Sequence, residues 1–227
     1  MNTRFLVLWV ITAMMVVFVS CKNNDEVFAK KVTTGLNIVN ATADTLNFYL
    51  NGTRLNNTSS LFPAGQSYYL TVPAGVQNYS FKKAGPAVYN VLFNLPLKLL
   101  DSSLYSTYVY GESASETLTT QDELPIDTLH PDTTMVRFVN VSSDAGNLDV
   151  YIGSSVSFKS SVFKTSSAFV EFPGGANEIK VFQSGSSIAK VDTTITFQAG
   201  SIYTIFSKGL LNGKGNSAFN IGVALNH

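Results

Sequence analysis

The chain has 227 residues, of which 45% are hydrophobic, 12% aromatic and only 13% charged, so it can bury a substantial core and is not disordered. Its 15 basic and 15 acidic residues balance, which leaves no basic field to attract nucleic acid. Phe, Tyr, Val, Thr and Ser are abundant and helix-forming runs of Ala, Glu and Lys are missing. This composition favours an all-β protein.

The first twenty residues have the pattern of a secretion signal. Arg4 supplies a short positive region, and Phe5–Val19 is apolar except for Thr12. As a helix this run would span about 22 Å at roughly 1.5 Å per residue. Since that is short of a hydrocarbon core of roughly 30 Å, a removed signal peptide over residues 1–20 is favoured over a stable membrane span.

Cys21 is the only cysteine, and it follows Phe18-Val19-Ser20 directly. This junction resembles the lipobox of bacterial lipoproteins, in which signal peptidase II cuts before a diacylglyceryl-modified cysteine; the alternative is an incidental free thiol. The polar stretch 22–26 resembles the export signal of Bacteroidetes lipoproteins. We therefore expect a lipid on Cys21, a flexible tether over 21–31, and an outer-membrane lipoprotein that faces the cell exterior.

The rest of the chain repeats itself at a spacing of about one hundred residues, the signature of a duplicated unit. The matching segments are 36–44 with 136–144, 46–50 with 148–152, 59–62 with 160–163, 69–75 with 169–175, and 104–107 with 202–205. The spacing drifts by only two or three residues, as loop insertions would produce.

Each copy contains short runs of alternating apolar and polar residues separated by turn residues. The clearest run is the last, where Phe219, Ile221, Val223 and Leu225 fall on one face of a strand. We predict two tandem antiparallel β-sandwich domains, immunoglobulin-like or transthyretin-like, over residues 32–115 and 135–227.

An acidic stretch separates the two copies. Residues 112–134 contain six acidic residues, no Lys or Arg, and the helix- and strand-breaking Pro125 and Pro131. This pattern predicts a linker over 116–134. Its beginning, Glu116–Thr120, is alternatively the last strand of the first domain, because the second copy has its final hairpin at the same place.

The second copy contains a recognisable opening and closing. Residues 136–144 read Val-Arg-Phe-Val-Asn-Val-Ser-Ser-Asp, Leu148–Ile152 follows, and residues 199–209 begin Ala-Gly-Ser-Ile-Tyr-Thr. This resembles the bacterial domain-of-unknown-function family numbered 4397, and the first copy departs from it with Asn37 in place of Arg137 and Asn47 in place of Asp149. The resemblance implies a secreted or surface β-domain and supplies no catalytic residues.

Catalytic chemistry has little support in the sequence. His130, in the acidic stretch, and His227, at the C-terminus, are the only histidines, so a Ser-His-Asp triad has no credible base. No nucleophile elbow or phosphate-binding loop is present. A glycosidase needs only two carboxylates, and the second copy offers several, although solvated charges are the favoured interpretation: Asp144, Asp149, Glu171, Glu178 and Asp192.

Two features remain as candidate binding residues. Asp44 and Asp144, each four residues after an asparagine at a strand end, are weak candidates for a Ca²⁺ ligand, although Asn and Asp there usually bond the backbone of a turn. Tyr105, Tyr108 and Tyr110 fall on the two faces of one strand, so either face could present rings for ligand stacking, with sandwich core as the favoured alternative.

These features predict a non-enzymatic protein that needs no cofactor. The first hypothesis is a lipid-anchored surface module that binds a polysaccharide or a protein. The second is a structural subunit or precursor of a fimbria-like assembly, in which a β-domain donates or accepts a strand. The third is a carboxylate-based hydrolase.

Overall fold

A computed structural model describes residues 32–85 and 91–227 of the chain. The predicted signal peptide, Cys21 and the tether lie outside the described residues. The first repeat forms eight strands: β1 (Thr33–Asn40), β2 (Leu46–Leu50), β3 (Thr53–Arg54), β4 (Leu70–Pro73), β5 (Gly75–Lys83), β6 (Phe93–Leu99), β7 (Leu104–Val109) and β8 (Thr117–Gln121).

The second repeat forms nine strands, and the described residues contain no α-helix, only three single 3-10 turns at Ala114–Glu116, Ile126–Thr128 and Gly215–Ser217. The strands are β9 (Thr133–Asn140), β10 (Leu148–Ile152), β11 (Ser155–Ser161), β12 (Thr165–Ser166), β13 (Val170–Pro173), β14 (Gly175–Gln183), β15 (Ala189–Phe197), β16 (Ile202–Lys208) and β17 (Asn220–Leu225). The predicted all-β fold is confirmed.

Each repeat is built from two sheets. In the first repeat, sheet 1A has the order β4-β1-β7-β8 and sheet 1B the order β3-β2-β5-β6. In the second, sheet 2A has the order β12-β9-β16-β17 with β13 also paired to β9, and sheet 2B the order β11-β10-β14-β15. The strands thus occur in the same order along the chain and across the sheets of both repeats, as the sequence duplication predicts.

The sheets are not purely antiparallel, which corrects one part of the predicted architecture. β1 pairs with β7 in parallel, Leu36 lying opposite Tyr105, and β9 pairs with β16 in parallel, Val136 lying opposite Tyr203. In each repeat the first strand joins a strand from the far end of the same repeat, so the pairing is non-local. The local alternation of apolar residues carries no information about it.

A hydrophobic core fills the space between the two sheets of each repeat. In the first, Leu36 and Ile38 of β1 meet Phe48, Phe81 and other buried residues of sheet 1B. In the second, Val136 and Phe138 occupy the corresponding positions. These buried apolar faces make each repeat a β-sandwich.

A glycine marks the place where the chain passes from one sheet to the other. Gly75 and Gly175 have φ angles of 92° and 103° and follow β4 and β13, which end at Pro73 and Pro173. Only glycine adopts this backbone conformation without strain, and proline ends the preceding strand because it cannot donate a ladder hydrogen bond. The repeated Pro-x-Gly segments therefore serve as matching joints.

The predicted linker 116–134 requires a correction at both ends. Thr117–Gln121 forms β8, which pairs antiparallel with β7, and Thr133 begins β9. The alternative interpretation of the beginning of this stretch, as the last strand of the first repeat, is the one that the structure shows. Residues 32–227 form a single compact unit.

None of the helices within the described part of the chain is long and apolar enough to cross a membrane.

Candidate functional site

The two repeats pack against each other through sheets 1A and 2A. Seven buried apolar residues form this contact, which we call the seam: Val39, Ala41, Tyr108, Val139, Val141, Phe206 and Ala224. The rings of Tyr108 and Phe206 lie 5.9 Å apart, centroid to centroid. Because both faces of these two sheets are covered, by a core on one side and by the seam on the other, β1 and β9 are buried on both faces from their fourth residue onwards.

A buried ion pair crosses the seam. Arg137 of β9 is 3% exposed, and its Nη2 donates to the carboxylate of Asp122, which follows β8, at 2.5 Å. The Nε of Arg137 donates to Thr204 at 2.9 Å, and Nη2 also lies 3.3 Å from the hydroxyl of Tyr108. A buried charge is tolerated only when it is paired and hydrogen-bonded, and here both repeats contribute to the pairing.

The carboxylate of Asp122 is fully hydrogen-bonded. It accepts from the hydroxyls of Ser106 at 2.5 Å, Tyr69 at 2.6 Å and Thr120 at 2.9 Å. Burial, together with the negative charge of Asp122, raises the pKa of the Tyr69 phenol well above its ordinary value. Burial favours the neutral form of Arg137. The charges of Tyr108 and Asp122 and their hydrogen bonds to the guanidinium have the opposite and larger effect, so the pKa of Arg137 is raised. The guanidinium of Arg137 therefore stays charged although it is buried.

The equivalent positions on the other side of the seam are neutral. Asn37 occupies the place of Arg137, and Asn226, which follows β17, occupies that of Asp122. The amide of Asn226 accepts from Thr204 at 2.7 Å and donates to the Tyr69 hydroxyl at 3.0 Å. The departure of Asn37 from the sequence pattern of the second copy therefore has a physical reason, because its counterpart carries no carboxylate.

Two cavities open along the seam. The first seam cavity, about 490 Å³, is lined by Thr120, Gln121, Glu123, Pro125, Arg137 and the segment 166–169. Phe169 forms one wall, with the guanidinium carbon of Arg137 4.8 Å from the centre of its ring. Both repeats contribute to this cavity, so it exists only because they are packed together.

The second seam cavity, about 280 Å³, lies where β1, β7 and β9 end. Its lining includes Asp44, Tyr110, Glu112 and Glu116 of the first repeat and Val141, Ser143 and Gly209 of the second. The ammonium of Lys83 bridges Asp44 at 2.8 Å and Glu112 at 2.7 Å, and these carboxylates raise its pKa. The cavity therefore presents hydrogen-bond acceptors beside an aromatic ring.

The three predicted stacking tyrosines have different environments. Tyr105 is 7% exposed within the first core, and its hydroxyl accepts from the Leu100 amide at 3.2 Å. Tyr108 is fully buried in the seam. Neither ring can stack on a ligand, so the prediction was wrong for these two. Sandwich core is the correct alternative for Tyr105, whereas Tyr108 is buried between the two sandwiches. Tyr110 is half-buried and lines the second seam cavity.

Neighbours hold the ring of Tyr110 in place. It makes an edge contact with Phe163 at 5.5 Å between centroids, and the Lys164 ammonium lies 5.5 Å from its centre. Its hydroxyl donates to the Ser115 carbonyl at 3.1 Å. Tyr110 is thus the one predicted aromatic that remains a candidate ligand contact.

The two asparagines that precede Asp44 and Asp144 organise turns. The amide of Asn40 donates to the carbonyls of Asp44 and Leu61 at 2.7 and 2.8 Å, and Asn140 donates in the same way to Gly146 and Ser161, both at 2.9 Å. Asp144 accepts from the Leu211 amide at 3.0 Å. Across residues 32–85 and 91–227 no group of three or more His, Cys, Asp or Glu is placed to hold a metal ion.

The carboxylates considered for hydrolysis have structural partners. Asp149 accepts from Ser160 at 2.7 Å and Ser184 at 2.8 Å, and Glu178 pairs with Lys180 at 2.8 Å. Asp192 lies 3.9 Å from the same Lys180.

Glu171 accepts hydrogen bonds from Thr133 at 2.6 Å and from the exposed ring of His130 at 2.5 Å. These bonds lower the pKa of Glu171. His227 is exposed at the end of the chain. None of these groups lines either seam cavity.

Sequence patterns alone did not identify Arg137 and Asp122 as the centre of the seam. One signal was present, because an arginine between valine and phenylalanine in an apolar strand needs a buried anion as its partner. That partner lay in the stretch interpreted as a linker.

Comparison with curated proteins gave no match. Among solved structures, the chain is similar to CBMbc, a family CBM26 module from Eubacterium rectale Amy13K crystallised with maltoheptaose, at 10% identity and a TM-score of 0.25, covering 83% of this chain and 95% of that one. A proposed cell adhesion protein from Bacteroides eggerthii matches at 8% identity and a TM-score of 0.22, with 86% and 95% covered. Likenesses this weak support no functional assignment.

A family model matches the sequence itself. The model of the domain of unknown function DUF4397 matches residues 34–151 and again residues 134–219. The two matches overlap, and together they cover most of both sandwiches, in agreement with the resemblance read from the sequence. The chain belongs to the DUF4397 family.

Proposed function

We propose that this protein is a lipid-anchored cell-surface module that binds a ligand without transforming it. The lipid on Cys21 holds it in the outer membrane, residues 22–31 act as a tether, and the two sandwiches, over 32–121 and 133–227, face the exterior. The junction sequence around Cys21 supports the anchor. The structural engagement of the carboxylates supports a non-catalytic role.

The observation that carries the binding role is the second seam cavity. The aromatic residue Tyr110, several carboxylates and residues of both repeats line it. Sugars are recognised by this combination, in which an aromatic ring contacts the apolar face of a pyranose and acidic oxygens accept from its hydroxyls. We therefore place a polysaccharide first among ligands and a surface protein second.

A matched pair of variants tests this site in the soluble chain 22–227. Tyr110 makes an edge contact with Phe163 at 5.5 Å, and Tyr151, on the outer face of sheet 2B, makes the same contact with Phe182 at 5.3 Å. On a glycan array and in pull-downs from cell-envelope material, Tyr110→Ala should lose at least tenfold in binding while Tyr151→Ala retains it. Equal loss in both variants would contradict the site, since both lose comparable packing.

The anchor is tested separately in the intact cell. Metabolic labelling with a fatty-acid analogue should mark the wild-type protein and not Cys21→Ala, and protease added to whole cells should degrade the wild type. A Cys21→Ala protein that remains in the membrane fraction would contradict lipid anchoring.

The alternative, a subunit of a fimbria-like assembly, also has one supporting feature. β15 is a nine-residue edge strand of sheet 2B without proline, and edge strands of this length can pair with another chain. Polymers that form with rising concentration and that disappear when Thr194 is replaced by proline would favour this role over ligand binding.

A further inference from the structure

The seam is reciprocal in its apolar contacts but not in one polar contact. Gln66 of the first repeat reaches across to the edge strand β17 of the second. With the oxygen and nitrogen of its carboxamide exchanged, which is the orientation that satisfies both atoms, the oxygen accepts from the Leu225 N–H at 2.9 Å and the nitrogen donates to the Leu225 carbonyl at 3.3 Å. A carboxamide thus pairs with both main-chain groups of one edge residue, as a neighbouring strand would.

The equivalent residue of the second repeat is too short to do the same. Ser166 of β12 pairs with Val139 as Gln66 does with Val39, and the residue equivalent to Leu225 is Gln121 of β8. The hydroxyl of Ser166 instead donates to the adjacent Ser167 carbonyl at 3.3 Å. The first seam cavity lies between Ser166 and Gln121, where the longer side chain is missing.

Gln121 faces this cavity with an unused donor and acceptor. β8 is the edge of sheet 1A, and its even-numbered residues bond to β7, since the Asp122 N–H donates to the Leu104 carbonyl and the Glu116 carbonyl accepts from Tyr110. In an antiparallel pair the intervening residues direct their N–H and C=O to the opposite side. Within the described chain, the main-chain N–H and C=O of Gln121 make no hydrogen bond.

The charges around the cavity select a neutral ligand. Arg137 lines the cavity, but Asp122 already compensates its charge, and Glu123 adds a negative group at the rim. An anion would gain little from Arg137 and would be repelled by Glu123. A carboxamide offers the donor and acceptor that Gln121 needs and carries no charge.

We propose that the first seam cavity binds the side-chain carboxamide of a glutamine or asparagine from a partner polypeptide, which pairs with the main-chain N–H and C=O of Gln121 as Gln66 pairs with Leu225. This site is distinct from the cavity at Tyr110 and stands whether or not that cavity binds a polysaccharide. A groove of about 490 Å³ with Phe169 as a wall also leaves room for the aliphatic stem of the side chain.

The test is an NMR titration of the ¹⁵N-labelled soluble chain 22–227. Acetyl-Gly-Gln-Gly-N-methylamide should shift the Gln121 amide resonance in a saturable manner. Acetyl-Gly-Glu-Gly-N-methylamide, which has the same backbone and no primary carboxamide, should bind at least tenfold more weakly. Equal binding of the two peptides would overturn the proposal. N-acetylglucosamine is titrated as a third ligand. A saturable shift of the Gln121 amide with this sugar, together with no shift with the glutamine peptide, would also overturn the proposal.

Three variants complete the test. Ser166→Gln should supply the missing carboxamide from within the chain, abolish the peptide-induced shift and raise the melting temperature. If that variant does not fold, Gln121→Pro removes the outward-facing N–H and should likewise abolish binding, whereas Gln121→Ala, which removes the side chain and keeps the N–H, should still bind. Gln66→Ser should open the equivalent place at Leu225 and transfer a peptide-induced shift to the Leu225 amide. Unchanged peptide binding in a folded Ser166→Gln or Gln121→Pro protein would refute the site.

Discussion

The guanidinium of Arg137 in the second sandwich and the carboxylate of Asp122 in the first form an ion pair that is almost completely buried, with 2.5 Å between nitrogen and oxygen. Each residue comes from a different copy of the duplicated unit. The pair therefore ties the fold of one copy to that of the other.

Removing one partner of this pair should be costly. Asp122→Ala leaves the Arg137 charge buried and uncompensated, which typically costs about 3–5 kcal/mol of unfolding free energy. The double variant Asp122→Leu with Arg137→Met removes both charges and should recover most of that loss. Urea unfolding followed by far-ultraviolet circular dichroism measures the unfolding free energy of both variants. A double variant that is less stable than Asp122→Ala would contradict the explanation.

The seam also predicts cooperativity between the sandwiches. The wild-type chain should unfold in one calorimetric transition, because separating the repeats exposes the seam residues together. Asp122→Ala should split this into two transitions. Two transitions already present in the wild type would show that the seam adds little to the stability of either repeat.

Removing the hydroxyl group of Tyr79 should make the protein more stable. Its side chain is buried in the first core, and its hydroxyl has no hydrogen-bond partner. Tyr79→Phe should therefore stabilise the protein by about 1 kcal/mol in urea unfolding. Tyr105→Phe is the matched control, since the Tyr105 hydroxyl accepts from Leu100 and its loss should destabilise instead.

The same phenol predicts a pH dependence. Burial raises the pKa of Tyr79 to about 12 from the ordinary tyrosine value of 10.0. The folded state thus holds its proton after the unfolded state has lost it, so this contribution to stability is complete below pH 10 and is lost as the pH rises towards 12. Tyr79→Phe should flatten the fall in melting temperature across that interval, whereas an unchanged slope would assign the fall to other groups.

Asn140 should matter as a turn organiser and not through a metal. It is fully buried, donates two hydrogen bonds and accepts from Ser207 at 2.9 Å, so Asn140→Ala should lower the unfolding free energy by about 2–3 kcal/mol. Millimolar Ca²⁺ or EDTA should leave the melting temperature of the wild type unchanged. A Ca²⁺-dependent rise that Asp144→Ala abolishes would restore the metal hypothesis.

Gly222 should be sensitive to any added side chain. It lies opposite Phe206 in the β16–β17 ladder, and a Cβ there would meet the Phe206 ring at 2.3 Å. Because Phe206 is packed in the seam and cannot move aside, Gly222→Ala should lower the unfolding free energy by about 1–3 kcal/mol. Gly153→Asn is the control: Gly153 lies in an open turn with a φ of 69°, so this change should leave the unfolding free energy nearly unchanged. Gly213→Ala is unsuitable as a control, since a Cβ at Gly213 would clash with the backbone of Ser217.

Local patterns sufficed to predict the sandwiches but not how they combine. Alternation along 219–225 correctly placed Phe219, Ile221 and Val223 against the second core, because period-two patterning reports directly on burial. The parallel pairing of β1 with β7 joins residues nearly seventy positions apart, and nothing in either strand specifies its partner.

The tyrosine prediction failed for a related reason. Alternation assigned Tyr105 and Tyr108 to opposite faces, and one face of a sheet in a lone sandwich is exposed to solvent. Here the second repeat covers that face, so Tyr108 is buried as well. Large apolar residues on both faces of a strand indicate such a covering layer, and β7 has Leu104 and Tyr108 on one face and Tyr105 and Val109 on the other.

The parallel arrangement of β1 has a mechanical consequence. β1 is the first strand after the N-terminal segment, and it is held on one side by β4 and on the other by β7. Tension transmitted from a membrane attachment at the N-terminus would act along β1, across both rows of hydrogen bonds at once, so that the bonds must break together and not one after another. The first sandwich is thus built to resist pulling along its N-terminal strand.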